Sequence, residues 1–358
     1  MSTDSGPRRA PDISVIMPVY NARDTLRRAV ESIRHQMGPS IELICVDDAS
    51  TDDSASRLET WYAGDSRVRL IRLERNLGPG AARNAGLEAA RGEYVLFADA
   101  DDMVMRGALA RLHTLALLHD SDIVKGTFEN VFEDGKRKVV VSATTPGPDV
   151  ETTCLRDSKL LQKIPVSHCT YFFRRGFLLD HDLRYPPDLL VGEDLVFIAQ
   201  ALIAAERVTL TPQVILRFYL MPTSLTRPEK PNPEALLGAI EHRRRVSRLL
   251  REQGLIEAAH GYLKHWNYQA EAYWVPMARQ WTLPACSQVF EAFRQVISED
   301  GLPWLDHTPA THQYLLALLS LGEDERAIEF LRSGALTRGF ATPEDQRSAA
   351  TLVARVAS

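Results

Sequence analysis

The sequence predicts an α/β fold: a mostly parallel sheet flanked by helices, followed by an α-helical domain. Three observations carry this. Four short apolar runs, ISVIMPV (13–19), IELICV (41–46), VRLIRL (68–73) and EYVLFA (93–98), alternate with segments of helical period, the order from which parallel sheets are built. The runs are continuous rather than alternating, as in strands covered on both faces. The text then changes at RPEKPNPE (227–234), beyond which helical patterns run nearly to the end, so a sheet domain is expected over 1–228 and a helical domain over 229–358.

Each element has its own signal. Pro18 closes the first strand, and Leu26, Val30 and Ile33 recur at helical spacing, predicting a helix from Asn21 to about Gln36 that MGPS ends. The second strand runs into DDASTDDS, a turn with a helix N-cap, and Leu58 and Trp61 ride the helix after it. NLGPG reads as a loop and AARNAGLEAA as a short alanine-rich helix before the fourth strand. Beyond it come a helix from Met105 to about His119 and a hairpin of DIVKGTFENVF and RKVVVSA with Asp134 and Gly135 at its turn. A helix (193–206) and a strand (213–220) complete the sheet domain. In the helical domain, 312–334 reads as a helical hairpin that buries one face against a neighbour. Trp266, Tyr268, Tyr273, Trp274 and Trp281 read as core more than as a sugar platform, and HRRRVSR (242–248) as a solvated face more than as a lipid contact.

Composition narrows the function. The 358 residues carry a formal charge of −5, with 25% charged and 45% hydrophobic residues, which points away from nucleic-acid binding and disorder. Residues 1–11 read as a loose leader with neither export signal nor structure. The longest apolar stretch, 195–205, is short of the ~20 residues that span a bilayer. Cys45, Cys154, Cys169 and Cys286 form no CxxC pair, which suits reduced thiols and a cytoplasmic location. His168 and Cys169, with Cys154 and His181 nearby, imitate a zinc site, but the spacing fits no usual ligand pattern and a structural role is preferred.

In an open parallel sheet ligands bind at the carboxyl ends of the strands. Asp47 and Asp48 follow the second strand there; Asp99, Asp101 and Asp102 follow the fourth. In extended chain Asp99 and Asp101 point to one side and Asp102 to the other. Two converging carboxylates with no cation in their own segment suit Mg²⁺ or Mn²⁺, which often shares its ligands with substrate phosphates; the alternative is a solvated acidic turn capping the next helix. GPGAAR (78–83) opens a helix whose backbone N–H groups attract phosphate. It imitates a dinucleotide fingerprint, yet it has Arg83 for the third glycine and follows the third strand instead of the first. Arg83 and Asn84 suit either a nucleotide contact or structural hydrogen bonds to DDAS.

ISVIMPVYNA, IELICVDDASTDDS, NLGPGAARNAGLEAARGEYVLFADADD and GEDLVF, in that order, resemble a family 2 nucleotide-sugar glycosyltransferase with the GT-A fold, over roughly residues 12–225. The resemblance implies that Pro18 and Tyr20 border the nucleotide base and that Asp48 accepts a hydrogen bond from uracil. It places Asp99 near ribose and sugar, Asp101 on a divalent metal bridging the diphosphate, and Asp194 as catalytic base with Glu193 beside it. Spacing alone also allows Glu193 and Asp194 to be helix-start acids. Gly80, in the phosphate loop, joins the expected donor site. Family members carry a histidine and an arginine in the loop matching 217–227; Met221 stands where the histidine would, with Arg217, Ser224 and Arg227 around it.

The activity implied is inverting, metal-dependent transfer of a sugar from a UDP donor to a hydroxyl of a glycan or glycolipid, in bacterial surface-polysaccharide synthesis. Peripheral membrane contact and a homodimer through the helical domain fit that role. Competing readings are a sugar nucleotidyltransferase, which would show a glycine-rich basic loop after the first strand, and a non-catalytic nucleotide-sugar-binding protein.

Overall fold

The computed structural model describes residues 10–132, 135–140, 150–157, 168–219, 233–255, 283–300, 310–333 and 340–357. The chain forms two compact units, Met1–Met221 and Pro222–Ser358.

In the first unit β1 (Ile13–Val19), β2 (Ile41–Asp47), β3 (Val68–Arg72) and β4 (Tyr94–Phe97) are parallel, in the spatial order β3-β2-β1-β4. The sheet continues through β9 (Tyr171–Arg174), β6 (Ile123–Val131) and β10 (Val208–Tyr219). β9 runs antiparallel to both β4 and β6, so the sheet is mixed, as expected of a mostly parallel one. β7 (Arg137–Val140) pairs antiparallel with β6 as the expected hairpin, and Gly135 takes a φ of 77° at its turn. Asp134 lies outside the described residues.

Helices cover both faces because both faces are apolar. α1 (Leu26–Arg34) buries Leu26, Ala29, Val30 and Ile33, and α4 (Ala108–Leu118) buries Leu109, Leu112 and Ala116. These side chains belong to one core cluster with Ile13, Val15 and Met17 of β1, α1 packing on β2 and β5 (Met103–Val104) and α4 on β6 and β10. Each leucine, isoleucine, valine or methionine among them contributes roughly 1.5–3 kcal/mol when fully buried. On the other face α3 (Pro79–Ala89) lies so close to β1 that a Cβ at Gly86 would stand 2.3 Å from Ile16 Cγ2. Only glycine permits that approach. α2 (Ser54–Tyr62), α5 (Arg175–Asp180) and α6 (Glu193–Ala204) complete the layers.

Three element boundaries differ from the periodicity. α1 begins at Leu26, not Asn21, because Asn21 takes a left-handed φ of 49° and its side chain accepts the N–H groups of Thr51 and Asp52. α4 begins at Ala108, not Met105. Gly107 before it is left-handed at 74°, and Met103–Val104 form a two-residue strand, β5, antiparallel to β10. β10 starts five residues before the expected 213, and its register shifts around Pro212, which has no N–H to give.

In the second unit α7 (Pro233–Glu252) packs on α8 (Leu283–Asp300), and α9 (Ala310–Ser320) packs on α8, α10 (Asp324–Ser333) and α11 (Pro343–Ala357). α9 and α10 are the expected helical hairpin. The run at 242–248 is no free basic face: Arg243 is buried, and Arg244 and Arg248 pair with Glu299 of α8. The aromatic group at 266–281 lies outside the described residues. No described helix is long and apolar enough to cross a membrane.

Candidate functional site

The acidic edge is built at the carboxyl end of β4. The chain after it turns instead of extending, with the Asp102 N–H donating to the Asp99 carbonyl at 3.2 Å. Asp99, Asp101 and Asp102 therefore each bring a carboxylate oxygen within 4.8 Å of the others. Alternation placed Asp102 on the far side; the turn overturns that, and the helix it was to start begins only at Ala108. One face of α1 holds the turn: Arg28 donates to the Asp101 carbonyl, Ser32 Oγ accepts the Val104 N–H and Gln36 donates to the Met105 carbonyl. Arg28 and Ser32 are four apart and stack along one side of the helix, and Gln36 follows two residues past its end.

Like charges this close disturb one another. Burial and the charge of Asp99 push the Asp101 carboxyl up to about 6. Burial together with Asp101 and Asp99 raises Asp102 well above the carboxylate range. Burial opposes a charged Asp99 as well, but the Arg83 guanidinium and His168 outweigh it and hold that carboxyl far below its usual value. Asp102 Oδ1 accepts the Tyr219 N–H, whereas Oδ2 is buried with no hydrogen-bond partner. An orphaned buried oxygen among hard, like-charged ligands fits a divalent cation.

Arg83 ties this turn to α6. Its guanidinium is only 4% exposed and donates to Asp99 Oδ1 and Glu193 Oε1, both at 2.8 Å. Burial and neighbouring Asp194 raise the Glu193 carboxyl, and Arg83 pulls the other way. Arg83 was expected at phosphate or DDAS; the structure places it between two acids. Asn84 is likewise engaged elsewhere, clamping the Tyr185 backbone through its N–H at 2.9 Å and its carbonyl at 2.8 Å. Gly80 faces protein, not open space: a Cβ there would stand 3.3 Å from Glu193 Cγ and from Tyr185 Cβ. Two of the loop's N–H groups are engaged too, since Leu77 and Gly78 donate to the Asp48 carboxylate at 2.7 and 2.8 Å. Each carboxylate oxygen still has a second lone pair.

Asp194, in the first turn of α6, keeps its side chain 23% exposed and accepts its neighbour Leu195's N–H. His168 stands between it and the acidic turn. Nδ1 is 3.3 Å from Asp194 Oδ2, and Nε2 is 3.5 Å from Asp99 Oδ1 and 3.2 Å from Cys169 Sγ. Sequence reasoning weighed His168 only as half of a zinc pair. Asp99, His168 and Cys169 do converge, but Cys154 bonds to Asp157, and His181 lies against the Phe177 carbonyl. No local signal marks His168, because its partners come from distant stretches of chain.

The remaining expected residues lie around this centre. Pro18 and Val46 are register partners on β1 and β2, so Tyr20 and Asp48 emerge from adjacent strand ends. The Tyr20 ring is 49% exposed, free to stack on a planar ligand. Arg217, on β10, is ion-paired with Glu129. Met221, Ser224 and Arg227 lie outside the described residues.

A mixed α/β sheet with an acid-rich turn after β4 and a second acid pair opening α6 is the arrangement of a GT-A fold, with its acids at the carboxyl edge where ligands bind. Residues 14–181, within this sheet domain, match the family model described as glycosyl transferase family 2. The chain is 32% identical over 223 residues to the succinoglycan biosynthesis protein ExoO of Rhizobium meliloti, covering 61% of this chain and 64% of that one. It is 32% identical over 202 residues to a poly(ribitol-phosphate) beta-glucosyltransferase of Bacillus spizizenii, covering 56% and 31%. The chain thus spans less than two thirds of either relative. Residues 1–349 of Staphylococcus aureus TarS, crystallised with UDP-GlcNAc, share the fold with a TM-score of 0.73 at 21% identity, covering 92% of this chain and 93% of that one.

Proposed function

We propose that this protein transfers a sugar, with inversion, from a UDP-sugar to a hydroxyl of a glycan or glycolipid acceptor in bacterial surface-polysaccharide synthesis. One observation carries the reading: two acid sets from separate elements, Asp99–Asp101–Asp102 and Glu193–Asp194, are drawn together by Arg83 and His168 at the carboxyl edge of the sheet. The relatives' names supply the substrate class: ExoO serves succinoglycan biosynthesis, and TarS was crystallised with UDP-GlcNAc.

The chemistry assigns the acids different tasks. Asp101 and Asp102, with Asp99, would hold Mn²⁺ or Mg²⁺, which when bound offsets the negative charge growing on the departing diphosphate. Asp194, partly exposed and beside the turn, takes the proton from the attacking hydroxyl. One displacement at the anomeric carbon inverts its configuration. Tyr20 and Pro18 receive the base, and Asp48 offers its free lone pairs to it. Arg83 and His168 keep Asp99 charged, and Glu193 helps hold the Arg83 guanidinium in place.

Nucleotidyl transfer finds less support, since the loop after β1 is occupied by Asn21 bonding to residues 51 and 52 and presents no glycine-rich phosphate cradle. UDP release from UDP-glucose and UDP-N-acetylglucosamine, assayed with Mn²⁺ and with chelator, tests the reading. Metal-dependent release is expected; none from any UDP-sugar, with or without acceptor glycan, would sink it. A homodimer through 229–358 and contact with the inner membrane face belong to the same proposal. Light scattering and vesicle flotation test them.

A further inference from the structure

The imidazole of His168 joins two carboxylates with different tasks. Asp99 belongs to the metal turn after β4, and Asp194 stands at the start of α6. His168 itself opens the turn His168–Thr170 that leads into β9. It is 5% exposed, and its ring lies edge-on to Tyr185 with centroids 6.0 Å apart. Tyr185 in turn stacks on Phe197 of α6 at 4.1 Å, and Asn84 clamps its backbone. The ring is therefore held by packing before it meets either acid. A carboxylate on a single rotatable bond in the first turn of a helix needs such a hold if it is to face an acceptor hydroxyl.

We propose that His168 is a positioning residue for the transfer: its Nδ1–H fixes the Asp194 carboxylate in the orientation that receives the acceptor proton. The inference rests on the reading of Asp194 as the base. It predicts that the two ring nitrogens are not equivalent. Nδ1 serves the base, and Nε2 lies toward Cys169 and the metal turn.

Two amide side chains separate these contacts, since the asparagine amide falls near Nδ1 and the glutamine amide near Nε2. The full chain is assayed for UDP release from UDP-glucose and UDP-N-acetylglucosamine with Mn²⁺, water serving as acceptor. His168→Asn should stay within about 3-fold of the parent turnover, while His168→Gln and His168→Ala fall by about 10- to 100-fold, the scale of a misplaced reacting group. Donor KM should move less than about 3-fold in all three, because uniform binding is untouched. A loss carried by KM would overturn the proposal, as would equal losses in the Asn and Gln variants or parent turnover in His168→Ala.

Asp194→Asn is run beside them. If it keeps parent turnover, the assignment of the base fails; if the parent releases no UDP from any UDP-sugar, the proposed transfer itself fails, and either outcome is distinct from a failure of the positioning role. Crystal structures of the three His168 variants then decide the positioning role. An Asp194 carboxylate held in the Asn variant and rotated in the other two supports it; an unmoved carboxylate in all three overturns it.

Discussion

Two groups of opposite charges, one in each unit, show what burial does to an ion pair. Arg83 lies inside the sheet unit, 4% exposed, between Asp99 and Glu193. Arg244 and Arg248 lie on α7, 26% and 50% exposed, with Glu299 of α8 as their shared partner. The distances are alike, near 3 Å, yet the energetics are not. The buried group has shed its water, so every charge depends on its neighbour and removing one leaves another stranded. The helix pairs exchange protein for solvent at little cost. The first arrangement can hold acids in unusual states for chemistry; the second joins two helices and keeps the surface soluble.

Four substitutions sharpen that contrast. Asp194→Asn should lower turnover by about 10²–10⁴-fold, the usual scale for a general base, with the fold retained by circular dichroism. Steady-state UDP release measures it, and parent activity would remove Asp194 from the mechanism. Arg83→Met should cost about 3–5 kcal/mol of unfolding free energy in denaturant titrations, because Asp99 and Glu193 lose their shared cation. A loss below about 1 kcal/mol would mean that the network is not buried in solution.

Lys125 carries the same logic with the opposite sign. Its amine is buried on β6, 4% exposed, donates to the Gly126 carbonyl at 3.2 Å and stands 5.8 Å from the Tyr171 ring. Burial drops it from 10.5 to about 8. Between those values the unfolded chain holds more protons than the folded one, so stability rises with pH across that window and the full penalty applies below it. Lys125→Met should therefore stabilise the protein at pH 7 by about 1–3 kcal/mol, and the gap between variant and parent should close between pH 8 and 10.5. Thermal melts across that range check it; a constant gap would contradict the assignment. Glu299→Gln should change stability least, by less than about 1 kcal/mol, and less still in high salt.

Much of the fold was legible because buried strands write themselves as continuous apolar runs. ISVIMPV and IELICV became β1 and β2 with nearly every side chain buried. The acids at 48, 99, 101 and 194 were legible because strand ends and a helix start are local features. Legibility failed where a residue's partner is remote. Asn21 delayed the start of α1 by bonding to residues 51 and 52, and Arg83 and Asn84, read as suiting either a nucleotide contact or structural hydrogen bonds to DDAS, bond instead to Asp99, Glu193 and Tyr185. Alternation misplaced Asp102 because it presumes extended chain where the backbone turns.

The sequence by itself determined the strand–helix order, the carboxyl edge on which acids collect and the family resemblance, since periodicity and local motifs are properties of neighbouring residues. Only the tertiary structure decided which charges share a partner. Asp102 joined the turn, Arg83 became a bridge between acids and His168 came to stand between Asp99 and Asp194. Those roles depend on distances in three dimensions and on water excluded from around them, which a string of residues does not contain.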